Sequence, residues 1–397
     1  MIIKGDYHMK KLRFISVFVA LFALMLPFNI RKEKFAKAEN KTPELECQCS
    51  ASILYDAKSK TVLHSYNEDK KLPIASMTKL MTLLLVFEEI DKGNLSLDQK
   101  IKISQNAADA EGSEAFLDAK SEYLLSDLIM TVIVCSANDS AVALAETVAG
   151  SEVAFARKMN KKANELGLNN TNFINATGLP AIDHYSSAKD ISIIYSQICD
   201  NPVYRKYSRI WTTELVHPSG RKTDIVNTNR LIRTFEGCDS GKTGYTKEAG
   251  YCLAASATRG DMRLVSVIIG AKTSKERFNS VANMFNYGFD NFENKIVVSS
   301  EKPIFTANIK NSKIKTAEVF AKEDFVKFLK KGEEFEHSLN FEEKTIKAPI
   351  KAGESVGKLM VLDKNNIVVF ETDLVLHEDV NAIKLGEIIH KIYENIA

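Results

Sequence analysis

Three short motifs in this chain carry side chains suited to acyl transfer: Ser76-Met77-Thr78-Lys79, Ser136-Ala137-Asn138 and Lys242-Thr243-Gly244. In that order they supply a hydroxyl nucleophile with an amine one helical turn away, a second hydroxyl beside an amide, and a cationic strand. A serine and a lysine three residues apart mean little alone. The same spacing recurs at Ser186/Lys189, Ser219/Lys222, Ser299/Lys302, Ser312/Lys315 and Ser355/Lys358, and Ser104-Gln105-Asn106 imitates the second motif. Context separates Ser76 from these copies.

The run from Ser76 to Ile90 is apolar on nearly every side, the pattern of a helix buried all round, with the serine at its N-terminus. A backbone N–H at such a terminus lacks an intrahelical partner and can face a developing oxyanion. Lys79 lies on the same face one turn deeper, flanked by Met77, Leu80 and Met81. Desolvation and a second cation nearby both lower a lysine pKa, which frees a neutral amine to act as base. Ser136 can pass a proton to a leaving amine, and Asn138 can hold a substrate backbone and the Lys79 side chain. The alternative for these two is capping of the helix that follows. In the third motif Lys242 brings charge, Thr243 a hydroxyl for a carboxylate, and Gly244 a close approach to ligand, with the Tyr245 N–H as a second oxyanion donor. The alternative there is a turn leading into an edge strand.

The elements that must position these groups follow from periodicity. Ser52–Tyr66 reads as a β-hairpin, Ser121–Val134 as an apolar helix delivering Ser136, Ala141–Val148 and Ala154–Leu166 as further helices, and 167–188 as a cleft-lining loop. Ser240–Thr246, Gly250–Thr258 and Arg263–Ile269 read as three antiparallel strands, and Glu276–Phe292 as a helix. Helices in two runs around such a sheet make this part α+β. After Phe292 the texture shifts to short strands between charged turns, at 295–298, 304–309, 316–319, 345–348, 358–361 and 367–370, the signature of a small all-β domain. Residues 379–397 close the chain as an amphipathic helix, with apolar residues at 385, 388, 389, 392, 393 and 396.

Length and ends agree with this division: 397 residues exceed a comfortable single core. Basic Met9–Arg13, apolar Phe14–Ile30 and Ala36-Lys37-Ala38 form a signal peptide over residues 1–38, with an uncleaved anchor as its alternative. Removing it takes away eight Lys/Arg against two acidic residues and moves the net charge from +2 to −4, which speaks against nucleic acid as a partner. Six cysteines are present, but Cys135 and Cys252 sit in apolar runs and Cys47 and Cys49 are too close to pair easily, so no disulfide is expected. His184 and His217 have no partners at ligand spacing, and neither a metal nor a cofactor is expected.

The segments Ala75–Thr82, Ser136–Ala141 and Gly241–Thr246 resemble the serine D-alanyl-D-alanine carboxypeptidases, the low-molecular-mass penicillin-binding proteins of type 5. Leu166–Thr171, Asn175–Leu179 and Tyr185–Asp190 support the likeness over residues 48–290, and Ala348–Leu359 extends it to the family's second domain. The resemblance implies a β-lactamase/transpeptidase-like domain at 48–292 and a β-rich domain at 293–378. It also implies an exported enzyme at the outer membrane face or cell wall that removes the terminal D-alanine from peptidoglycan stem peptides. Ser76 would be nucleophile, Lys79 base and Ser136 relay, while Lys242, Thr243 and Arg277 would bind the free carboxylate. A solvated helix face is the alternative for Arg277. β-Lactams would acylate Ser76, and the terminal helix would lie on a membrane or pack on the β-domain. Thr177 stands where some relatives carry histidine and is given no role. The rivals are a serine β-lactamase, for which Glu165 to Asn169 imitates a deacylating pair, and a catalytically silent penicillin-binding wall protein.

Overall fold

The computed structural model describes residues 45, 47–343 and 346–383. The expected signal segment and residues 384–397 of the expected terminal helix lie outside them. Strands β1 (Ala51–Asp56) and β2 (Val62–Tyr66) form the expected hairpin. A 3-10 turn, Ala75–Thr78, runs into helix α1 (Lys79–Asp91), followed by α2 (Leu125–Val134), α3 (Asn138–Ala149), α4 (Glu152–Glu165) and α5 (Ala188–Ile198). Strands β3 (Cys238–Thr246), β4 (Gly250–Arg259) and β5 (Met262–Ala271) then complete an antiparallel sheet in the order β2-β1-β5-β4-β3. Helix α6 (Ser274–Asn291) closes this part, starting at a capping box between Thr273 and Glu276.

The sheet has a core on each face, and the period of two sorts the residues between them. On β5, Val265, Val267 and Ile269 join the core shared with α1 to α5, while Leu264 and Ile268 join Val281, Met284, Phe285 and Phe289 of α6. Helix α1 is the centre of the first core: every residue from Lys79 to Phe87 is buried. A helix enclosed on all sides can present one polar side chain only where a partner awaits it, which is the setting of Lys79.

Several boundaries differ from the sequence expectations. Glu122–Leu124 is a short strand paired with Lys100–Lys102, so the helix reaching Ser136 begins only at Leu125. Helix α3 starts at Asn138 rather than Ala141, because Asp139 secures its first turn by accepting from the Ala115, Leu117 and Ser140 N–H groups. The helix Pro202–Ser208 and the hairpin Thr212–Val216/Lys222–Val226 were not expected.

The last part is all-β, as the sequence implies. Six strands lie in one sheet over a core that includes Val319, Leu359, Val361 and Leu374, and Phe292–Val298 pairs with Phe325–Lys330. The strands Phe325–Lys330 and His337–Glu343 are additional to those expected. Residues 379–383 are not helical: Val380 pairs with Ile350 and Ala382 with Ser312, which corrects the expected start of the terminal helix at 379.

Leu83 is fully enclosed in α1. Leu83→Ala is expected to cost about 2–5 kcal/mol of stability, read from urea unfolding of the purified protein; a change below about 0.5 kcal/mol contradicts this packing.

Candidate active site

The 3-10 turn places Ser76 just ahead of α1, and Lys79 opens the helix. The Lys79 Nζ donates to Ser76 Oγ at 2.9 Å and to the Thr177 carbonyl at 2.7 Å. The amine is fully buried, and burial first, then the Lys242 charge, hold its pKa well below the usual lysine range. Ser136 follows α2 in the left-handed region at φ 67°, an uncommon conformation for a residue with a Cβ. Its Oγ accepts from Lys242 Nζ at 2.7 Å. Lys242 also donates to the Thr243 carbonyl at 2.9 Å, and burial, aided by Arg277, lowers its pKa to about 7.

Strand β3 passes against the nucleophile turn. A Cβ on Gly244 would lie 2.8 Å from the Ile74 carbonyl oxygen and 3.1 Å from the Ser76 nitrogen, so only glycine permits this approach. The Thr243 hydroxyl donates to Thr228 Oγ1 at 2.7 Å. Tyr245 exposes its ring, which lies tilted at 32° against Tyr251 with centroids 4.3 Å apart. β3 is indeed an edge strand, as its alternative reading had it, yet Lys242 and Thr243 are buried beside the site.

Arg277 is not on a solvated face. It is 7% exposed, lies over Phe278 and Tyr251, and donates to the Gly244 carbonyl at 3.4 Å, with its Nε buried and unpartnered. None of the ion pairs among the described residues involves Lys79, Lys242 or Arg277. Buried cations without an ion-paired carboxylate are suited to an anionic ligand end.

One alternative falls away and one expectation is corrected. Ser136 and Asn138 do not cap α3, whose N-cap Ala137 receives no side-chain bond. Asn138 is not bonded to Lys79: its Nδ2 donates to the Glu111 carbonyl at 2.5 Å, and its Oδ1 is buried without a partner. The second acceptor for Lys79 is the Thr177 main chain, invisible in a sequence because any residue type carries a carbonyl. His184, passed over for want of metal-ligand spacing, bonds Thr78 at 2.8 Å. The Glu165 of the imitated lactamase pair is tied at the surface to Lys162 at 2.8 Å. All six cysteines are free; Cys252 is buried and Cys135 half-buried.

Residues 36–273 match the family model described as D-alanyl-D-alanine carboxypeptidase, and residues 292–382 match penicillin-binding protein 5, C-terminal domain. The chain is 38% identical over 366 residues to D-alanyl-D-alanine carboxypeptidase DacF of Bacillus subtilis (strain 168), covering 90% of this chain and 92% of that one. It is 32% identical to D-alanyl-D-alanine carboxypeptidase DacC of Escherichia coli (strain K12), covering 87% and 85% respectively. The solved structure of penicillin binding protein 5 from Haemophilus influenzae superposes with a TM-score of 0.66 at 30% identity, over 85% of this chain and 98% of that one.

The two lysines set opposite pH limbs. With Lys79 as the expected base, activity is expected to rise with pH as its amine loses a proton, and the Lys242 charge is lost as pH rises past about 7. A bell-shaped kcat/KM profile is expected, and Lys242→Arg should remove its alkaline limb by keeping the charge. A wild-type profile that rises without a fall up to pH 9 contradicts this division.

Proposed function

This chain belongs to the D-alanyl-D-alanine carboxypeptidase family, and we propose that its hydrolysis of the terminal D-Ala-D-Ala bond runs through Ser76, Lys79 and Ser136. It is a serine-type peptidase that acts on peptidoglycan peptides and binds β-lactams. The Ser76 Oγ attacks the carbonyl carbon between the two D-alanines and gives its proton to the neutral Lys79 amine. The Ser76 and Tyr245 N–H groups receive the negative oxygen of the tetrahedral intermediate, close to the helix N-terminus. As the C–N bond breaks, Ser136 delivers its proton to the departing D-alanine amine and takes the Lys79 proton in return, which leaves Lys79 neutral again. Water then attacks the ester carbonyl and gives a proton to Lys79; as the ester C–O bond breaks, Lys79 returns that proton to Ser76 Oγ and the hydroxyl is restored. Asn138 orients the substrate backbone, and Lys242, Thr243 and Arg277 hold the free carboxylate, which restricts the enzyme to peptide ends.

The observation that carries this reading is the 2.9 Å bond between Ser76 and a fully buried amine with no carboxylate partner. With benzylpenicillin, the wild type should gain one stoichiometric covalent adduct by intact mass, and Ser76→Ala none. The wild type should also release D-alanine from a pentapeptide ending in D-Ala-D-Ala, with at least a ~10³-fold loss in Ser76→Ala. An adduct on the alanine variant, or rapid penicillin turnover without an adduct, sinks the assignment.

We further propose the division into a signal segment 1–38, a catalytic part 48–292 and a β-rich part 293–378, with export to the outer membrane face or wall, where the substrate lies. The apolar stripe from 385 to 396 is taken to rest on the membrane surface. The secreted protein should begin at residue 39 by N-terminal sequencing and bind anionic vesicles, and shortening it to residue 383 should abolish vesicle binding. Equal binding of both forms removes the membrane role.

A further inference from the structure

One buried titratable group with no part in this chemistry touches the turn that carries the nucleophile. His184 is 7% exposed, and burial pushes its imidazole pKa down to about 4, so the ring is neutral over the working range. The Ile174 N–H donates to its Nδ1 at 3.2 Å, which puts the ring proton on Nε2. Nε2 then donates to Thr78 Oγ1 at 2.8 Å, and the Thr78 hydroxyl donates to the Ala75 carbonyl at 2.9 Å. Each donor in this chain has one acceptor, and the directions are fixed by the main-chain group at either end.

Ala75, where the chain ends, sits at φ 48°, in the left-handed region that a Cβ disfavours. Such a conformation persists only where the surroundings over-determine it. Gly178 supplies the rest of the hold: a Cβ there would fall 1.9 Å from the Ala75 oxygen and 2.7 Å from Thr78 Oγ1. The residue before it, Thr177, accepts from Lys79. One loop, 174–178, therefore anchors the imidazole at one end and the catalytic amine at the other. Phe173 lies edge-on to the His184 ring at 5.8 Å and limits its rotation.

We propose that His184 and Thr78 are positioning residues: the imidazole, acting through the Thr78 hydroxyl, holds Ala75 left-handed and so aims the Ser76 Oγ and N–H at the attacked carbonyl. This rests on Ser76 being the nucleophile. Neither residue touches the reacting atoms, so the loss should appear in the rate of the covalent step and not in ligand capture.

The test measures penicillin acylation under conditions that separate the noncovalent Kd from the acylation rate constant, with Tm recorded for each variant. T78V removes the hydroxyl at nearly constant shape, and H184N keeps an acceptor for Ile174 but is too short to reach Thr78. Both should slow acylation on the order of 10- to 100-fold with Kd unchanged within about twofold. T78S and H184Q, which restore the hydroxyl and the reach, should recover to within about threefold of wild type. Wild-type acylation rates in T78V or H184N, whatever their Tm, overturn the proposal; so does an H184Q no faster than H184N. If T78V does not fold, H184N and H184Q decide. Failure of the wild type itself to form an adduct strikes the nucleophile assignment instead, so the two failures remain distinct.

Discussion

A buried cation without an ion-paired anion is among the costlier arrangements a protein can adopt, and this fold buries two lysines and an arginine with no ion pair among the described residues. The cost selects the chemistry. At Lys79 burial and the Lys242 charge favour loss of the proton, which suits the base role proposed for it. Lys242 and Arg277 keep a use for their charge, since an incoming carboxylate offsets the desolvation already incurred. Enclosure in α1 on one side and the β3 approach through Gly244 on the other prevent water from relieving the strain instead.

The loop between α4 and α5 binds this arrangement together through main-chain groups. Thr177 gives a carbonyl to Lys79, Ala176 gives one to Thr82 at 2.7 Å, and Ile174 gives an N–H to His184. Asn175 in turn accepts from the Thr177 and Gly178 N–H groups and holds the loop's shape. Backbone atoms fixed in this way do not reorganise when charge moves during reaction, which is the condition for electrostatic stabilisation.

Much of this was legible in the sequence. The three motifs converge because each lies on or beside an apolar element whose burial is written in its composition: Ser76 before α1, Ser136 after α2, Lys242 midway along β3. The fold class followed from the alternation of helical and strand periods. What stayed hidden depended on partners remote in the chain. Asn138 looks like a ligand for Lys79, but its amide meets the Glu111 carbonyl, a contact set by how a loop 27 residues earlier returns. Glu122–Leu124 reads as helix because its apolar spacing fits either period, and only pairing with Lys100–Lys102 decides. The alternative of a solvated face for Arg277 arises because its neighbours Lys275 and Glu276 are charged, while its own side chain lies over Phe278 and Tyr251.

Strand β3 has a sheet neighbour on one side only, and Ser76 stands beside it at Gly244. A peptide laid along its open side would be held by the repeating amide pattern common to every amino acid. Discrimination then falls on the chain's last carboxylate, and residues further up the stem are free to differ between bacterial walls. A rigid bicyclic drug that carries one amide and one acid group satisfies the same two demands, so sensitivity to it is inseparable from tolerance of varied substrates.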